Sequence, residues 1–334
     1  MNKTVDMKAN KKTHIIQTIF KKYMIYILFI AIFAISSFAS PAFLKVSNLV
    51  NILRQTAIYA IIAFPITMLI ISGVTDLSPG SVAAFTGVAG IVAYVDLTTK
   101  MGVNAVLAGL LAVAYSILLG IIIGFVNGII ITRFKVPAFM ATLAMMTSIR
   151  GAALLYTGGN VIYQIGDIAV LGKGSIIGIP IPVLIMLILF VFFTILLKKT
   201  MYGRYIYAIG GNEEAAVASG INVNKIRMIS YIVQGAMGGL AGILLMCRLN
   251  TGQPTAGEGY EFDAITGAVL GGTSFTGGEG TMFGTLVGIL IVGMINNIFN
   301  LLSVQSYYHQ ILKGVLIVVA VIIDMRGKNS KVTA

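Results

Sequence analysis

Long apolar stretches, separated by short polar or glycine-rich breaks, recur along the chain. They lie at roughly 23–43, 57–74, 79–95, 103–132, 136–156, 180–197, 229–248, 262–279, 282–302 and 307–324. A helix crosses the hydrocarbon core of a bilayer with about 20 mostly apolar residues, and most of the stretches reach that length. None alternates polar and apolar positions as the strands of a membrane barrel do. Two are interrupted, the third by Pro79 and the eighth by a dense run of glycines. The pattern predicts an all-α polytopic membrane protein of about ten transmembrane helices.

Composition agrees and narrows the choice. Of 334 residues, 57% are hydrophobic and only 10% charged, against about 25% charged in soluble domains. A soluble enzyme, a disordered tail protein and a disulfide-stapled module are all excluded. The net charge of +12 is an orientation signal, because Lys and Arg gather between apolar runs and show no basic face interleaved with stacking aromatics. Basic clusters in the N-terminal tail, at Arg133 and Lys135, across 198–228, and at Arg326 to Lys331 all fall on one side if ten spans start inside. Both termini are then cytoplasmic, with a tail at 1–22, one membrane domain at 23–325 and a tail at 326–334. Glu258, Glu261 and Asp263 fall in an opposite-side loop. The first apolar run imitates a secretory signal and is expected to stay as an uncleaved anchor. Cys247 is a packing residue, and two isolated histidines, His14 and His309, cannot hold a metal.

An internal echo suggests duplication. Gly124-Phe125-Val126-Asn127 recurs as Gly293-Met294-Ile295-Asn296, 169 positions later (127 to 296). Spans 2–5 would then pair with spans 7–10 as inverted repeats, an arrangement common in transporters. Glycines four apart, at 120/124/128, 235/239, 238/242 and 284/288, predict close helix packing. Two stretches break the spans with polar residues, Gly73 to Ser81 and Gly271 to Gly280. Each reads as a pathway or gate element or as a turn between spans, and the second is taken as the counterpart of the first. Gly166 to Lys173 superficially matches a phosphate-binding loop, but the spacing is one residue too long and Gly174 stands where Ser or Thr is needed.

The largest polar insert, 198–228, carries the sharpest local signal. Asn212 suits a helix N-cap, Glu213 and Glu214 its positive end, and Gly220 its stop. Between them Ala215, Ala216, Val217 and Ala218 form a helix too short to stand alone, which gains stability by docking into a partner.

Glu214-Ala215-Ala216-x3-Gly220 resembles the coupling loop of bacterial ABC importer permeases. Gly203-Arg204 through Glu213, Ser219 to Lys225, Gln253-Pro254-Thr255-Ala256-Gly257 and Asp76-Leu77-Ser78-x-Gly80-Ser81 are similar to the monosaccharide permease group of that family. The likeness runs from about residue 45 to 324 and is strongest to its ribose-transporting branch. Xylose, galactose, autoinducer-2 and inositol are the alternative cargoes. The resemblance implies a type II importer-like fold in a bacterial cytoplasmic membrane. It also implies a second copy of the permease, an ABC ATPase subunit or tandem ATPase holding ATP and magnesium, and an extracytoplasmic sugar-binding protein. The permease itself would bind no cofactor and catalyse nothing. ATPase coupling is assigned to Gly203, Arg204, Asn212, Glu213, Glu214, Ala215, Ala216 and Gly220.

Polar residues within spans are functional candidates. Asp76, Ser78, Ser81, Thr273 and Ser274 are candidate pathway or gate residues. Asn127, Asn296 and Asn297 either touch sugar hydroxyls or bond helix to helix. Arg150 either faces the pathway or, the favoured reading, snorkels to the outer interface. The competing class is a cation-coupled secondary transporter, which would want buried acids or histidines at mid-span.

Overall fold

A computed structural model describes residues 24–305 together with 307, 308, 311, 312, 314, 315, 318 and 322. The predicted N-terminal tail, most of the tenth run, His14, His309 and the C-terminal tail lie outside the described residues. The chain is helical: α1 Met24–Ala39, α2 Val46–Ile71, α3 Pro79–Thr99, α4 Ala105–Thr132 and α5 Ala138–Thr157. A single 3-10 turn at Gly166–Ala169 leads to α6 Val170–Lys173 and a two-residue hairpin, Ser175–Ile176 with Ile179–Pro180. Then follow α7 Ile181–Lys199, α8 Met201–Gly211, α9 Glu213–Ala218, α10 Val223–Leu249, α11 Tyr260–Leu270 and α12 Met282–Leu301.

Among the described residues, seven helices are long and apolar enough to cross a membrane: α2, α3, α4, α5, α7, α10 and α12. They divide into a centre and a rim. The most apolar window of α2 is 89% buried, whereas those of α4, α5 and α7 are only 17–28% buried. The rim helices turn Leu110, Leu118, Phe125, Ile188 and Phe192 outward, which is stable where lipid replaces water. Glycines let the centre close up. A Cβ on Gly120 would strike the carbonyl of Gly235, and one on Gly239 the carbonyl of Ser116, so α4 and α10 meet backbone to backbone. Gly267 and Gly271 do the same for α11 against Gly288 and Gly284 of α12.

Two expectations need correcting. The eighth run, 262–279, is not a span: α11 stops at Leu270, and residues 271–281 form a turn into α12. Gly272, Gly277 and Gly278 take positive φ there (+86°, +88° and +79°), a conformation that glycine adopts without strain. Nor does that turn mirror Gly73–Ser81. Its Gly278 N–H donates to the carbonyl of Ile71, so it packs on the end of α2 beside α8.

The element that does mirror 72–78 is 250–259. Both follow a long helix and lead into one that starts at half depth. Pro79 and Val82, in the first turn of α3, lie against Gly238. Gly238 is 15 residues into α10, or about 22 Å along its axis at 1.5 Å per residue. Gly80 in turn packs on Gly257 and Glu261 at the start of α11. The two half-depth helices therefore begin beside each other and run in opposite directions.

Candidate functional site

Asp76, Ser78 and Asn127 form one buried cluster at the start of α3. The Ser78 N–H and Oγ both donate to Asp76 Oδ1, at 2.8 and 2.7 Å. Asn127 reaches across from α4 and donates from Nδ2 to Ser78 Oγ at 3.1 Å. The start of α11 is braced in the same way by α12, where Asn296 Nδ2 donates to Asp263 Oδ1 at 3.3 Å. Asn297 exchanges two hydrogen bonds with Asn48 of α2, at 3.0 and 2.8 Å. All three asparagines thus join helices. Thr273 and Ser274 sit in the turn between α11 and α12, away from these clusters, and Ser274 N–H donates to the carbonyl of Glu279.

Beside the two helix starts opens a cavity of about 730 Å³. Ser81 is the one predicted pathway residue that lines it. The others on its wall include Thr147, Arg150, Leu154, Glu261 and Phe262. Arg150 does not snorkel outward: its Nη1 donates to the carbonyls of Pro254 and Ala256 at 2.8 and 2.9 Å, pinning segment 250–259. Glu261 and Asp263 are likewise not in a solvated loop, being 4% and 1% exposed within the first turn of α11. Burial of a charged residue depends on tertiary neighbours, which local sequence does not display. The available signal was the break Gln253-Pro254-Thr255-Ala256-Gly257-x-Gly259 immediately before a new run of small residues.

At the far end of α10 lies the basic insert. Its short helix has the predicted ends. Asn212 Oδ1 accepts from Ala215 N–H at 2.9 Å, and Gly220 takes φ +82°. Every residue from Gly211 to Gly220 is exposed except Ala216. The doubled acid divides its tasks: Glu213 accepts two bonds from Arg227, at 3.1 and 2.7 Å, and Glu214 stays on the surface. Arg227 also donates to the carbonyl of Ser72 at 3.1 Å. Gly203 is buried where α7 turns into α8 and donates to Thr200 Oγ1, the N-cap of α8, whereas Arg204 is exposed. Behind this surface, the Tyr202 hydroxyl bonds Ser230 at 2.7 Å, and burial pushes the phenol up to about 12. Tyr207 OH donates to the carbonyl of Gly280 at 2.7 Å, tying α8 to the α11–α12 turn.

Comparison with known proteins gives a consistent result. A family model described as branched-chain amino acid transport system / permease component matches residues 48–321. The ribose import permease protein RbsC of Haemophilus influenzae is 44% identical over 305 residues, covering 90% of this chain and 91% of the relative. RbsC of Escherichia coli strain K12 is 46% identical over 303 residues, covering 89% and 92%. The xylose transport system permease protein XylH of Haemophilus influenzae is 32% identical over 371 residues, covering 91% and 97%. No solved structure matches the chain.

Proposed function

The chain belongs to this permease family, and from that premise we propose that it is the membrane-spanning subunit of an ATP-driven importer of ribose. It is a multi-pass membrane protein and a transport component. The observation that carries the cargo is identity of 42–46% to ribose import permeases over about 90% of the chain. Identity to the named xylose and arabinose permeases is lower, at 32% and 34%.

In this reading α9 is the coupling helix. Its exposed face around Glu214, Ala215 and Val217 docks into a partner ABC ATPase, which holds ATP and magnesium. An extracytoplasmic binding protein delivers the sugar at the opposite end, and both termini are cytoplasmic. The order α2, 72–78, α3, α4 against α10, 250–259, α11, α12 supports an inverted repeat. A second copy of the permease covers the cavity side of α5, a helix whose apolar residues Phe139, Met140 and Leu155 are exposed. The pathway then runs along that cavity. Closure of the ATPases favours one of two access states, and transport follows from the partners' different affinity for each state.

Reconstitution in vesicles tests the whole assignment. Ribose uptake is expected to require ATP, the ATPase and the binding protein, and uptake driven by a proton gradient alone would overturn it. A sharper test replaces Glu214 with Ala and Gly220 with Val together. Ribose-dependent ATP hydrolysis should fall to background with membrane insertion unchanged. Normal coupled uptake in that variant would remove α9 from the mechanism.

A further inference from the structure

The cavity contains a carboxylate that the fold leaves partly unused. Glu261 is 4% exposed. The backbone amides of Gly259 and Glu261 face the carboxylate on one side, and its Oε2 has no hydrogen-bond partner. Gly80 makes the room, since a Cβ at that position would collide with Oε2 and with the carbonyl of Gly257. A buried acceptor deprived of a donor is costly, and native proteins keep few of them. Arg150, on the same cavity wall, attracts Glu261 electrostatically but forms no ion pair with it. Its Nη1 is committed to two carbonyls, and the side chain still lines the cavity.

The chemistry of the missing donor is constrained from several directions. A cation is disfavoured by the fixed guanidinium, and an anion by Glu261 itself. The described residues hold no group of three or more acids, histidines and cysteines able to bind a metal. A neutral molecule rich in hydroxyls fits, because a carboxylate only accepts hydrogen bonds and a guanidinium only donates them. Phe262 and Leu154 add an apolar wall to the cavity. Its volume of about 730 Å³ lies within the usual range for small-molecule sites.

We propose that Glu261 and Arg150 form a transit subsite for neutral monosaccharides. The Glu261 carboxylate accepts hydrogen bonds from adjacent sugar hydroxyls, its Oε2 becoming accessible as the Gly80 contact over it opens. Arg150 donates to a sugar oxygen, and Phe262 meets the C–H face. The subsite rests on the reading of this cavity as the pathway.

The test uses the assembled permease and ATPase in lipid nanodiscs for binding, and the complete transporter with its binding protein in sealed vesicles for uptake. Saturation-transfer NMR with D-ribose as probe reports weak binding to the permease when the binding protein is left out. Glu261→Gln and Arg150→Lys, each checked for assembly by size-exclusion chromatography, are expected to weaken the ribose signal about tenfold, equivalent to about 1.4 kcal/mol. The wild-type complex should prefer D-ribose to 2-deoxy- or 3-deoxy-D-ribose, a preference the Gln variant loses. Unchanged ribose binding and unchanged preference in both variants would overturn the subsite. A separate arm places a cysteine by Ser81→Cys in a Cys247→Ala background and exposes it to a methanethiosulfonate reagent during turnover. Modification that blocks uptake supports the pathway independently of the subsite. A cysteine that is never modified in any state would overturn the pathway, and the subsite with it.

Discussion

At the start of α3, Asp76 and Ser78 turn their polar atoms on each other, and Asn127 donates to Ser78 while its Oδ1 stays unpaired. At the start of α11, by contrast, it is a carboxylate oxygen of Glu261, on the cavity wall, that stays unpaired. Both helices begin at half depth, against the same glycine contact, and each is braced by an asparagine from the following long helix. On the α3 side, Asp76 satisfies both the N–H and the hydroxyl of Ser78. Segment 72–78 is held by this Asp76–Ser78 turn and also from α10, where Tyr231 OH donates to the carbonyl of Thr75 and Arg227 to that of Ser72. On the α11 side, the equivalent segment is fixed from outside, by Arg150 on the carbonyls of Pro254 and Ala256. The contrast separates two jobs that a polar residue within a membrane can have. Side chains that satisfy nearby backbone hold a broken helix in place, whereas the spare acceptors, Glu261 Oε2 beside the cavity and Asn127 Oδ1 between α3 and α4, are left for another donor.

Breaking the shared contact should have the largest effect. Gly80→Val places carbon against a backbone carbonyl that cannot retreat, and overpacking of this kind costs about 1–3 kcal/mol or more. The expected outcome is loss of the monodisperse protein peak in fluorescence-detected size-exclusion chromatography. Asp76→Ala comes next, because it strands the Ser78 donors in a buried site at a cost of about 1–3 kcal/mol. A lowered midpoint of thermal unfolding is expected, and an unchanged midpoint would mean that Asp76 is not an anchor. Asn127→Ala and Asn296→Ala should be mildest, at about 0.6 kcal/mol each for a helix-to-helix bond within a bilayer. Similar small drops in both variants would support the pairing of the two helix starts. A much larger drop for one would show that the braces are not equivalent.

Much of this was legible from the sequence. Helices α4, α7 and α12 lie within a few residues of their apolar runs, since each run is continuous and ends at a charge or a turn. The ends of α9 were also readable, because caps and left-handed glycines are local devices. Helix α2 was harder. It starts at Val46, eleven residues before its apolar run at 57, and its polar first turns looked like loop. Those side chains have partners far away in sequence: Asn48 bonds Asn297, Arg54 bonds the carbonyl of Lys173, and Asn51 and Gln55 accept from Arg248. The brevity of α11 was hidden because hydropathy does not separate a helix from a glycine-rich turn continuing it. Of the predicted pathway residues Ser81 reaches the cavity, but Glu261 reads from the sequence as part of an outer acidic loop, and Arg150 as either a pathway residue or an interfacial charge.

The bidentate contact of Arg227 with Glu213, and its further bond to Ser72, make a short mechanical train. Glu213 is the first residue of α9, and Ser72 is the first residue after α2, where the chain leaves helix and climbs towards Asp76. In the coupling role proposed for α9, a displacement of that helix reaches the foot of the segment through one guanidinium. In that role, α9 and the half-depth start of α3 are therefore separated by the seven non-helical residues 72–78 and a single side chain.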